Sequence, residues 1–139
     1  MGDNIVSQMI DQHRNLKKVI SNVVELSKED NKEGEILQGL NEFKALIVKH
    51  LKLENEGFYD ELIKQMEKGG QDITKTKTFI DEMKEIEKAV IAFLEDYSSE
   101  EKIKSNLEKF QKDIESVVSV LTLRIESEEA GVYSYWGLF

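Results

Sequence analysis

Residues 36–57 read ILQGLNEFKALIVKHLKLENEG, and within them Ile36, Leu40, Phe43, Ile47, His50, Glu54 and Gly57 recur at alternating steps of four and three. That spacing marks the inward stripe of a helix packed in a bundle. Three other stretches carry the same stripe. Val6, Met9, His13, Leu16, Ile20 and Val23 form the first, and Phe79, Met83, Ile86, Val90, Phe93 and Tyr97 the second. The third runs Ile103, Leu107, Phe110, Ile114, Val117, Leu121, Arg124, Glu128 and Gly131. The pattern predicts helices over residues 3–27, 31–68, 74–97 and 99–133. Asp30 with Glu33, and Ser98 with Glu101, have the spacing of capping boxes, and Gly69-Gly70 stops the second helix. Short connections make sequential helices antiparallel, so the expected fold is all-α, a single up-down-up-down four-helix bundle domain over residues 1–139.

Composition narrows the function classes. The chain of 139 residues has no proline and no cysteine. Lacking thiols, it has no disulfides, zinc-thiolate sites, iron–sulfur clusters or cysteine nucleophile. With 28 acidic against 19 basic residues the formal charge is −9, which disfavours nucleic acid and anionic membrane surfaces as partners. No apolar run is long enough to span a membrane, and no basic segment followed by an apolar core opens the chain. Met1-Gly2 begins as a myristoylation signal does, but Val6 stands where that signal needs Ser or Thr. A cytoplasmic location is the expectation.

Five polar residues interrupt the inward stripes: His13, His50, Glu54, Arg124 and Glu128. A buried carboxylate is costly unless it is paired or bound to metal, and here two share the stripes with both histidines of the chain. An internal repeat sets their level. Asp11 to Leu16 matches Asp81 to Ile86, which pairs His13 with Met83. His50-Leu51-Lys52-Leu53-Glu54, with Gly57-Phe58-Tyr59 after it, matches Arg124-Ile125-Glu126-Ser127-Glu128, with Gly131-Val132-Tyr133 after it. Two helical hairpins therefore present these groups to a common centre. His50 and Glu54, four apart, share a helix face and can approach one ion together. Imidazole with carboxylate suits iron, zinc or manganese. Inward Met9 and Met83 with the histidines also suggest heme, but there is no Cys-x-x-Cys-His motif and inward Met is ordinary core filling.

Across nearly its whole length the sequence resembles the hemerythrin-like, or HHE cation-binding, domains. Their pattern is a helix-one His, a helix-two His-x-x-x-Glu, a helix-three His and a helix-four His-x-x-x-Glu. The resemblance implies a site in which two carboxylates bridge two irons and the histidines divide between them. His13, His50, Glu54 and Glu128 match that pattern, while Met83 and Arg124 stand where it has histidine. It follows from the resemblance that the histidines for one iron are kept and those for the other are lost. Arg124 cannot become a ligand and repels a nearby cation, but it can fork onto Glu54 or Glu128. Two carboxylates and one Arg leave a charge of −1, which suits one divalent ion better than two.

These residues lead to one reading and its rival. In the first, a single metal ion, iron, zinc or manganese, is held by His13, His50, Glu54 and Glu128 for sensing or iron handling. Such a site has open positions for a diatomic gas. Oxygen carriage, which in hemerythrins is a two-iron process, is not expected of half a site. In the rival reading the bundle holds no metal, Arg124 is salt-bridged to Glu54 and Glu128, and the domain is a structural or interaction module. A metal-dependent redox enzyme is a third reading, for which the sequence names no substrate pocket and no acid–base pair. Tyr133, Tyr135, Trp136 and Phe139 crowd the C-terminal segment, as a plug for the bundle end or as an apolar patch that docks a second copy in a homodimer. Tyr59 and Tyr133 follow the two carboxylates and are expected to line the end of the site.

Overall fold

The computed structural model of the chain describes residues 2–137, and every regular element among them is helical. The first bundle helix is α1 (Gly2–Ser27). The second is built from α2 (Glu33–Lys52), a π-helical turn (Leu53–Tyr59) and α3 (Asp60–Lys68). The third is α4 (Thr74–Asp96). The fourth comprises α5 (Glu100–Lys104) and α6 (Leu107–Ala130), followed by a single 3₁₀ turn (Val132–Tyr135). Helix α1 packs against α2 and α6, and α4 packs against α6 and α2, which closes a four-helix bundle. None of these helices is long and apolar enough to cross a membrane.

Two apolar clusters fill the bundle. Leu16, Ile20, Ile36, Phe43, Ile47, Phe93, Phe110 and Ile114 belong to one. Met9, Phe58, Leu62, Met66, Ile80, Met83 and Val132 belong to the other. Burial of each large side chain contributes about 1.5–3 kcal/mol, so these clusters carry most of the drive to fold. Along α1 and the second bundle helix, His13, His50 and Glu54 fall between residues of the two clusters, as Glu128 does along α6. The polar site therefore lies in the middle of a dry core. Gly39 lets α1 and α2 approach closely: a Cβ there would lie 2.6 Å from Val23 Cγ2. Any side chain at position 39 would push apart the two helices that carry the histidines.

Several details differ from the sequence expectation, for identifiable reasons. The Asp30–Glu33 capping box does not form; Lys32 precedes α2 and offers no side-chain cap. At the fourth helix the cap is Ser99 rather than Ser98, with Ser99 Oγ accepting from Lys102 N at 3.2 Å. That helix also breaks near Asn106, whose side chain accepts from Lys109 N and starts α6 afresh. The inward stripe is also offset at two positions, although Met83 after one and Leu121 and Glu128 around the other keep their inward places. Ile125, not Arg124, is fully inside α6, and Ile80, not Phe79, inside α4. In the second bundle helix the π turn inserts a wider loop of backbone. Phe58 and Tyr59 become buried where Gly57 was expected.

Candidate metal centre

His13 from α1, His50 from α2, Glu54 from the π turn and Glu128 from α6 converge. Each offers one donor atom, and these atoms all lie within 4.8 Å of one another. All four residues are buried, at 0–2 % exposure. The imidazoles are aimed from behind. His13 Nδ1–H donates to Glu129 Oε2 at 2.8 Å, and His50 Nδ1–H donates to Gln12 Oε1 at 2.7 Å. With both Nδ1 protons spent outward, each Nε2 turns its lone pair to the centre, and the two Nε2 atoms stand 3.2 Å apart. Outer partners of this kind fix the tautomer of metal-binding histidines. Two facing lone pairs repel unless a cation, whether a proton or a metal ion, lies at the contact.

The carboxylates extend the same argument. His50 Nε2 is 3.3 Å from Glu54 Oε2, and His13 Nε2 is 3.5 Å from Glu128 Oε1. Glu54 Oε1 and Glu128 Oε1 are buried with no hydrogen-bond partner. A lone proton between the imidazoles would leave both oxygens orphaned, whereas a metal ion could engage nitrogens and oxygens together. The donor set thus fits a cation of the iron, zinc or manganese kind.

Without a cation the cluster is under electrostatic load. Burial pushes the His13 imidazole below its ordinary value and keeps it neutral, despite its hydrogen bond to Glu129. Burial, then the charge of Glu54, raises Glu128 well above the usual carboxyl range. For Glu54 burial acts in the same direction but is outweighed by its contact with His50 and the hydrogen bond from Tyr133, so it stays below its ordinary value. The two carboxyl groups are thus pushed in opposite directions, as in other close carboxyl pairs. Two phenols complete the ring. Tyr59 donates to Glu128 Oε2, and Tyr133 donates to Glu54 Oε2 at 2.7 Å. Burial and the two glutamates raise both phenols above the ordinary tyrosine value, so both hold their protons.

Arg124 is outside this ring. Its guanidinium donates to Phe79 O at 3.4 Å, lies 3.4 Å from Glu82 Oε2, and sits 4.5 Å over the Phe79 ring. The expected fork onto Glu54 or Glu128 does not form, because Arg124 lies on the flank of α6 facing α4. Arg124 therefore adds no charge to the cluster. Met83 is buried in the apolar cluster beside the site. Of the C-terminal aromatics, Tyr133 is buried and Trp136 stacks on Phe58 at 5.1 Å, so both plug the bundle end. Tyr135 is 39 % exposed, and Phe139 lies outside the described residues. Sequence reasoning missed Gln12 and Glu129. Each neighbours a site residue in sequence but points about 100° away from it, so periodicity gives them no mark.

An all-helical bundle whose core holds two imidazoles and two carboxylates defines a class of cation-binding helical domains. The family model described as "Hemerythrin HHE cation binding domain" matches residues 4–136, and the chain belongs to that family. No curated protein and no solved structure matches it significantly.

Proposed function

We propose that this domain binds one metal ion, with iron the first choice, through His13, His50, Glu54 and Glu128, and serves sensing or iron handling rather than oxygen carriage. The observation that carries this reading is the pair of Nε2 atoms 3.2 Å apart, each with its Nδ1 proton committed to an outer acceptor. That arrangement is strained without a cation and satisfied with one. Only one such pair exists in the chain, whose histidines number two, so a second ion has no imidazole to hold it. A ferrous ion bound here would supply open positions for a diatomic gas and one-electron redox chemistry.

The residues of the chain do the rest. His13 and His50 bind, Glu129 and Gln12 orient them, and the two apolar clusters exclude water. Tyr59 holds a proton on Glu128 Oε2, an oxygen that a second ion would otherwise use. A cleft of about 520 Å³ between α3 and α4, lined by Asn55, Tyr59, Ile80 and Lys84 among others, meets the site at Tyr59 and offers a small ligand an approach. The rival metal-free reading loses its support in Arg124, which pairs with Glu82. Elemental analysis of protein made in iron-rich medium tests the proposal. About one ion per chain is the expected ratio. A ratio near zero would leave a metal-free module, and a ratio near two would restore a dinuclear site.

A further inference from the structure

We infer that Tyr133 is itself a ligand: its phenol oxygen belongs to the donor set of the ion held by His13, His50 and Glu54, an inference that rests on the single-ion reading above. Donor atoms bonded to one ion at about 2.0–2.2 Å stand about 3 Å apart when they occupy neighbouring positions around it. The donors present here meet that condition in sequence. His13 Nε2 to His50 Nε2 is 3.2 Å, and His50 Nε2 to Glu54 Oε2 is 3.3 Å. The Tyr133 oxygen closes the circuit, 2.7 Å from Glu54 Oε2 and 3.1 Å from His13 Nε2. It touches donors from two different elements, whereas the Tyr59 oxygen touches Glu128 alone. The two phenols are therefore not equivalent.

The backbone places this oxygen on purpose-built geometry. Tyr133 lies on the 3₁₀ turn beyond α6, and the chain reaches it through Gly131. A Cβ at Gly131 would lie 2.7 Å from the backbone oxygen of Ser127, so the fold back over the site needs glycine there. The Tyr133 ring then packs nearly parallel to His13, with an interplanar angle of 14° and centroids 5.5 Å apart, and against Phe58. Charge favours the ferric state. Glu54, Glu128 and a tyrosinate bring three negative charges, which balance one ferric ion, and Arg124 adds none because it faces Glu82. On binding, the Tyr133 O–H bond breaks, an oxygen–iron bond forms, and the Tyr133 proton leaves to solvent with no electron transferred. Tyrosinate is an established ligand of ferric iron elsewhere.

The test loads the full chain with ferrous ion under anaerobic conditions, oxidises it with ferricyanide and removes excess metal. The expected product is coloured by a phenolate-to-iron charge-transfer band, with tyrosine ring modes enhanced in resonance Raman spectra. Tyr133→Phe should abolish the band while iron is still bound, and Tyr59→Phe should keep it. Bound iron without the band, or a band that survives Tyr133→Phe, overturns the ligand assignment and leaves the single-ion reading standing. Failure to retain any iron overturns both. Should Tyr133→Phe not fold, the unaltered chain grown on ring-deuterated tyrosine decides the matter. Its enhanced modes must shift, must persist in Tyr59→Phe, and their constancy would sink the inference.

Discussion

The α1–α2 side of the cluster and the α4–α6 side are built on matching stretches of sequence, yet they are finished differently. On the first side His13 and His50 are each held from behind, by Glu129 and Gln12, and turn a lone pair inward. On the second, Met83 has joined the apolar cluster and Arg124 has swung outward to Phe79 and Glu82. The second side is not vacant. Tyr59 donates into a Glu128 oxygen there, and burial with the charge of Glu54 raises Glu128 well above the usual carboxyl range. The contrast teaches that matching positions in two hairpins can be finished in opposite ways, one pair turned inward by outer hydrogen bonds and the other packed or paired away from the centre.

Four substitutions probe that contrast. His50→Ala removes one of two imidazoles and should reduce the metal content of the protein from about one ion per chain to near zero, read by elemental analysis. Retained stoichiometric metal would place the ion elsewhere. Met83→Ala, on the other side, should cost about 2–5 kcal/mol by cavity formation in a denaturant titration. Its metal content should not move; a loss would show the sulfur to be part of the site. Gln12→Ala leaves the ligands in place but frees the His50 ring, and metal affinity should fall about 10–100-fold in a chelator competition. Arg124→Ala should cost less than about 1 kcal/mol, because Glu82 is largely exposed and the stacking on Phe79 is modest. A change in metal stoichiometry in that variant would mean that the guanidinium does reach the cluster.

The bundle itself was plain in the sequence because 28 positions repeat one spacing and no proline interrupts them. His13, His50, Glu54 and Glu128 were legible for a related reason: a polar residue in an apolar stripe has nowhere to hide. The same regularity misled at Arg124. Between Leu121 and Glu128, which keep their inward places, it is Ile125 and not Arg124 that takes the interior of α6. Tyr133 was placed only near the end of the site, since beyond Gly131 the helix stops and periodicity carries no further information. Gln12 and Glu129 act sideways from their helices, a direction that spacing does not record. Ser99 and Asn106, as caps, differ from their neighbours only by hydrogen bonds that serine and asparagine make in many settings.

The wide turn at Leu53–Tyr59 has a consequence for how this chain can vary in length. A π turn is an α-helix with one residue too many, and the surplus is absorbed where it occurs. Shortening the chain by one residue between Asn55 and Gly57 would convert the turn to ordinary helix while Leu62 and Met66 kept their places in the core. Elsewhere in the bundle a single deletion would rotate everything after it by about 100° and strand the apolar face in water. The segment that carries Glu54 and Tyr59 is thus the one stretch of the long helices where the reading frame of the fold has slack.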